Sequence, residues 1–334
     1  MAGGGDSLPR ARYVKNSDNT NARDHRAKGN AMTSHARRLP PASSLRAAIF
    51  AACAAVLAAA VPEAAGAQAP TEAETHATWL AIRGDVVGER PIVDGTGILA
   101  IEAPYRAHDA AVVPLDITAH LPDGKAVKAL TIVIDENPSP VAATFTFGQR
   151  RADLALSTRV RINSYSFVRA IVEADDGTLY MSERYVKASG GCSAPALKDA
   201  DQAFANLGKM KVRYPPPAEA LATPAKLPGT APAAGASRLV RAQIMIRHPN
   251  YSGLQMNQLT QLYIPARFVN DIEVSQGGDK LFAMEGGISL SEDPTIAFEF
   301  QSNGAGTLDV KAVDTDGEVF SGAFAIEPPP GGNG

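Results

Sequence analysis

Thr307-Leu308-Asp309-Val310-Lys311-Ala312-Val313-Asp314-Thr315-Asp316-Gly317-Glu318-Val319-Phe320 alternates apolar and polar side chains, turns through Asp-Thr-Asp-Gly and then resumes. A period of two is the mark of a strand with one buried and one wet face, and the turn folds the two runs into a hairpin. Upstream, Val240–Arg247, Phe268–Ser275, Lys280–Glu285 and Thr295–Gln301 read the same way, and Glu318–Ile326 is the last strand. Together these runs predict a small β-sandwich over residues 238–328.

Further upstream the pattern recurs in Ile98–Glu102, Ala111–Ala119, Val127–Asp135, Ala142–Phe147, Leu156–Ile162, Phe167–Glu173 and Leu179–Val186, with turn signals at Pro122-Asp123-Gly124 and Asp175-Asp176-Gly177. Seven short strands at this spacing argue an immunoglobulin-like sandwich. Thr75–Arg83, around the single tryptophan Trp79, reads as a short helix laid on that sandwich, with Trp79 as core. Between the sandwiches lies one amphipathic helix, with Ser193 as N-cap, Pro195 in the first turn, Leu197, Ala200, Phe204 and Leu207 at helical spacing, and Gly208 as terminator. A Pro/Ala-rich linker, residues 208–237, follows with Pro215-Pro216-Pro217, Pro224, Pro228 and Pro232; such a stretch is extended and semi-rigid. The expected fold is all-β, with two immunoglobulin-like domains, residues 75–207 and 238–328, joined by a short helix and a Pro-rich linker.

Residues 1–31 are polar and without apolar periodicity, and read as disordered or as a start codon assigned too early. Residues 32–67 have the order of a secretory signal: Arg37, Arg38 and Arg46, then the apolar run Ala47–Val61, then Ala65-Gly66-Ala67. Cleavage is expected after Ala67, and the run is too short to remain as a membrane span. Residues 1–67 hold nine of the 32 Lys/Arg and four of the 35 Asp/Glu, so the exported part carries 23 basic against 31 acidic residues. A mildly acidic chain argues against a nucleic-acid partner. The sequence has no P-loop, no dinucleotide fingerprint and no CxxC pair, so neither a cofactor nor a metal is expected.

Of the two cysteines, Cys53 leaves with the signal, and Cys192 becomes the only thiol. It sits in Ser189-Gly190-Gly191-Cys192-Ser193-Ala194-Pro195, where Gly190 and Gly191 promise reach and steric access. The expected helix N-terminus at Ser193, helped by Lys187 and Lys198, would favour thiolate over thiol. The alternative is a buried, structural cysteine at a strand end.

Residues 98–192 resemble SoxY, the sulfur-carrier subunit of periplasmic thiosulfate oxidation, through Ala111-Val112-Val113-Pro114, Ile134-Asp135-Glu136-Asn137-Pro138-Ser139-Pro140, Ala143-Thr144-Phe145-Thr146-Phe147-Gly148, Leu156-Ser157-Thr158-Arg159-Val160-Arg161 and Gly190-Gly191-Cys192. Residues 238–326 resemble its partner SoxZ through Arg247-His248-Pro249, Phe268-Val269-Asn270, Gly286-Gly287-Ile288-Ser289 and Asp314-Thr315-Asp316-Gly317. One chain holding both halves looks like the fused carriers associated with quinoprotein (PQQ-dependent) alcohol dehydrogenases. The resemblance implies a periplasmic carrier and no enzyme of its own: Cys192 bears the sulfur, Gly190 and Gly191 form the arm, and two packed domains serve sulfur-oxidation enzymes or a quinoprotein dehydrogenase with its cytochrome. The SoxY motif ends its chain as Gly-Gly-Cys-Gly-Gly, whereas here Ser193-Ala194 follow and the chain continues. Both strands of such a loop must enter a partner's active site together.

The other polar residues suggest little chemistry. His248 reads as structural, and His76, His108 and His120 lack metal spacing. Glu285, Glu292 and Asp293 read as solvated, and Met245, Met256 and Met284 as fillers of the second core. Three functions remain open: a covalent carrier acting through Cys192, an accessory module of a quinoprotein dehydrogenase in which Cys192 is a contact, and a structural protein with Cys192 in an intermolecular disulfide.

Overall fold

The computed structural model describes residues 70–195, 200–215 and 238–326. It opens on α1, Glu72–Val87, because Thr71 and Glu74 form a reciprocal capping box: the Thr71 hydroxyl accepts from the Glu74 amide, and the Glu74 carboxylate from the Thr71 amide. The helix is longer than Thr75–Arg83 at both ends. It lays Trp79 and Val87 on Val133, Ile171 and Leu179 of the sheet beneath, while the Arg169 guanidinium, paired with buried Asp135, stacks 4.7 Å over the Trp79 ring.

Fifteen strands follow among the described residues: β1 Ile92–Asp94, β2 Leu99–Glu102, β3 Val113–His120, β4 Val127–Ile134, β5 Val141–Phe147, β6 Asp153–Val160, β7 Ser166–Ala174, β8 Leu179–Val186, β9 Met210–Arg213, β10 Leu239–Ile246, β11 Val269–Gln276, β12 Asp279–Gly286, β13 Thr295–Gln301, β14 Thr307–Asp314 and β15 Val319–Ala325. A six-residue helix, α2, spans Ala200–Ala205. The alternation that marked the strands is the alternation of burial: β3, β6 and β14 bury every second residue. The all-β, sandwich-type fold expected from the sequence is the one found.

The halves are joined more intimately than a linker would require. One sheet runs β1-β8-β7-β4-β5-β12-β11-β14-β15 and the other β2-β3-β6-β13-β10-β9, so both sheets cross from the first half to the second. The crossings are antiparallel: β5 pairs β12 with Phe147 opposite Phe282 and Phe145 opposite Met284, and β6 pairs β13 with Leu156 opposite Phe298. A single apolar cluster, from Leu99 to Phe320, fills the space between the sheets on both sides of the seam. Pairing edge to edge removes two pairs of open strand edges that would otherwise invite aggregation.

Two strands lie where the sequence indicated none. β1 is three residues long, too short to show a period, and adds to β8 in parallel. β9 occupies the start of the stretch read as linker and pairs with β10, Met210 opposite Ile246. The connection between the halves therefore does not begin at residue 208; the proline-rich part, residues 216–237, lies outside the described residues.

Candidate functional site

Cys192 is fully buried. Its neighbours explain why. After β8 the chain returns past Asn163 and Ile162: the Gly190 amide donates to the Asn163 carbonyl at 2.8 Å and the Gly191 amide to the Ile162 carbonyl at 3.0 Å. A Cβ on Gly191 would lie 2.1 Å from the Ala110 carbonyl oxygen and 2.7 Å from that of Ile162. Gly191 is thus required by a close approach of backbones, and in this conformation the two glycines dock the cysteine instead of extending it.

The far wall belongs to the second half of the chain. Ser252 donates through its hydroxyl to the Cys192 carbonyl, and the Gln255 amide donates to the Ala194 carbonyl at 2.9 Å. Arg161, just past the end of β6, donates from Nη1 to the Gly191 carbonyl and from Nη2 to the Asn250 carbonyl, both at 3.3 Å. Asn137 fixes this corner by donating to the Arg161 carbonyl and the Ser289 hydroxyl and accepting from the Asn163 amide. Ser291 closes it with a hydroxyl bond to the Ala111 carbonyl. Loops of both halves meet on the cysteine.

Among the described residues, Ser193 caps no helix. Its amide and hydroxyl both bond back to the Gly190 carbonyl, at 3.2 and 3.3 Å, closing a turn, and α2 is described only from Ala200. Lys187 stacks at 4.8 Å over Tyr105, and Lys198 lies outside the described residues. The expected thiolate does not fit this docked conformation: burial pushes the Cys192 thiol up to about 11, and the nearby Arg161 charge offsets only part of that. Among the described residues, the sequence pattern assigns no part in the site to Arg161, Asn137 or Gln255. Nothing in the alternation of β6 signals that Arg161, beyond the strand end, is buried.

The sign of the thiol shift sets a pH dependence. Docking favours the neutral thiol, so it holds fully below the ordinary thiol value of about 9 and weakens as pH rises toward about 11. Iodoacetamide labelling of the native chain is expected to keep rising about tenfold per pH unit beyond 9, whereas the urea-unfolded chain levels off there. A native profile that levels at or below pH 9 would contradict the docked thiol.

The remaining candidates separate from the cysteine chemistry. His248 is buried and structural: Nδ1 accepts from the Asn250 amide at 3.0 Å, Nε2 lies 3.4 Å from Asp314, and burial lowers its pKa. Glu292 and Asp293, read as solvated, are buried; Asp293 accepts from the His248 amide and pairs with Arg247, because its loop turns inward to support the 248–250 corner. Glu285 faces solvent on β12. Met284 is core, Met245 is half-buried, and Met256, read as core, is partly exposed in a bridged loop. His76 lies 3.6 Å from Glu183 and His120 pairs with Asp153, while His108 is exposed. Among the described residues no three His, Cys, Asp or Glu side chains gather as metal ligands, and no helix is long and apolar enough to cross a membrane.

Residues 83–192 match the family described as sulfur oxidation protein SoxY, and residues 230–325 the one described as sulphur oxidation protein SoxZ. The first match ends on Cys192. Among solved structures, the chain is similar to the sulfur carrier protein SoxY from Chlorobium limicola f thiosulfatophilum, at 27% identity and a TM-score of 0.29, over 34% of this chain and 96% of that one. It is also similar to a superoxide reductase (neelaredoxin) from Ignicoccus hospitalis, at 12% identity and a TM-score of 0.23, over 27% of this chain and 79% of that one. No curated protein sequence matches.

Proposed function

We propose that this chain, a SoxY domain followed by a SoxZ domain as in the sulfur-oxidation carriers, holds a sulfur-containing group covalently on Cys192 and delivers it to separate periplasmic enzymes. The observation that carries the reading is the position of Cys192: it is the free cysteine among the described residues, it ends the SoxY match, and it rests on the SoxZ half through Ser252 and Gln255. A buried thiol near 11 does not attack anything where it lies. The docked conformation is the resting state, and loading begins when residues 189–195 withdraw from the wall. Joining the thiol sulfur to thiosulfate releases one proton and two electrons, so the loading partner is an electron-accepting enzyme; transfer from a persulfide needs no oxidant. Export through a signal segment cleaved after Ala67 would put the carrier in the same compartment.

Mass spectrometry of the intact protein, isolated without reductant from cells oxidising sulfur compounds, checks this. The expected result is a reductant-removable increment of sulfur atoms or a sulfur oxyanion on the Cys192 peptide, absent in Cys192→Ser. A free thiol throughout active oxidation would overturn the carrier reading.

The burial of Cys192 favours a second reading, in which the thiol is a packing contact within an accessory module of a quinoprotein dehydrogenase and its cytochrome. Under that reading Cys192→Ser keeps both partner binding and alcohol oxidation. An intermolecular disulfide has less support, since the docked sulfur is out of reach of a second copy.

A further inference from the structure

Arg161 is 2% exposed and makes no ion pair among the described residues. Its Nε has no hydrogen-bond partner, and its two Nη bonds, to the carbonyls of Gly191 and Asn250, are long at 3.3 Å. A buried guanidinium without a bonded carboxylate is costly. The carboxylates of Glu292 and Asp109 act on its charge without bonding to it, and the Cys192 thiol beside it is neutral. The contrast within the same half is Arg169, equally buried but bound by Asp135 through both Nε and Nη2 at 2.7 to 3.0 Å. Arg169 is satisfied; Arg161 has donors to spare beside a thiol.

We propose that Arg161 is an anion subsite for the loaded cysteine, taking the oxyanion end of a sulfonate-terminated adduct such as Cys192–S–S–SO3⁻. The proposal rests on the carrier reading and adds to it the residue that receives the charged end of the adduct. The free Nε and the adjacent Nη form the planar fork that matches such an oxyanion, whose oxygens replace the distant carbonyls as partners.

The test compares two chemically loaded forms of the full chain. With tetrathionate, the Cys192 thiolate attacks an inner sulfur, bonds to one S–SO3 half and expels the other as thiosulfate, its proton going to solvent. With methyl methanethiosulfonate it attacks the methylthio sulfur and expels methanesulfinate, leaving neutral Cys192–S–S–CH3. Loading is verified by intact mass, and the melting temperatures are compared. In the native chain the thiosulfonate form is expected to melt about 3 °C or more above the S-methyl form. In Arg161→Gln the order should reverse, because the anion then lacks its partner; Arg161→Lys, keeping charge without the fork, should fall between. An equal or lower melting temperature for the anionic form in the native chain would overturn the subsite, whether or not either variant folds. Cells are not involved, so the subsite stands if native protein carries no cargo, and the carrier reading stands if the two melting temperatures coincide.

Discussion

Gly191→Ala is expected to raise the rate at which Cys192 is alkylated at neutral pH by about a hundredfold. The added Cβ would fall 2.1 Å from the Ala110 carbonyl oxygen and 2.7 Å from that of Ile162, both of them backbone atoms that cannot rotate away. Overlap of this kind costs about 1–3 kcal/mol and sometimes more, and every 1.4 kcal/mol shifts the docking equilibrium tenfold. The segment leaves its bed, the Ser252 and Gln255 bonds to the Cys192 and Ala194 carbonyls are lost, and the thiol meets water with its ordinary acidity. Gly190→Ala serves as the control: it has φ +79 but open space around the added methyl, so only backbone strain of about 1 kcal/mol is imposed. Iodoacetamide labelling measures both, and calorimetry separates local release from global loss, since Gly191→Ala should leave the main melting transition nearly in place. An unchanged labelling rate would mean that the segment is already undocked in solution.

The same two glycines show how far a sequence can be read. The run Gly190-Gly191 was legible as a special backbone site, yet glycine serves two opposite ends, freedom and close approach, and only the position of Ala110 and Ile162 decides between them. The thiolate expectation departs from the docked conformation for a related reason. It rested on a helix start at Ser193, but the Ser193 hydroxyl bonds back to Gly190, and burial then sets the thiol acidity. The longer strands, by contrast, were legible to within two residues at most ends, because alternation in runs such as Leu308–Val313 records which side chains face the core. Alternation does not record which strand edges meet. Nothing local in Phe145 or Phe282 says that β5 and β12 pair, and β9 carries too few residues for a period to emerge from the prolines that follow. Arg161 stayed hidden on the same ground: its burial arises from loops of the other half, more than 85 residues away in sequence at Asn250.

Phe282→Ala is expected to cost about 3–5 kcal/mol and to lower the single melting transition of the whole folded unit by about 10 °C. Phe282 is 1% exposed on β12, directly opposite Phe147 of β5 across the seam. Its ring lies 5.8 Å from Phe145 in the first half and 4.9 Å from Phe298, edge to face, in the second. Removing it opens a void that neither sheet can close, because each is held in register by pairing on the other side. Two sandwiches joined only by a linker would melt separately, and a change in β12 would move only the second transition. Here both sheets and the apolar cluster continue across the boundary, so the halves should unfold together and the lesion should destabilise the first half equally. Calorimetry with one transition that shifts as a whole would show that the seam couples the halves, and two transitions of which only one moves would refute it. That coupling has a consequence for the cysteine: the bed of Cys192 is made from Ile162 and Ala110 on one side and Ser252 and Gln255 on the other. Phe282→Ala should therefore also speed alkylation of Cys192, although no atom of Phe282 needs to touch it.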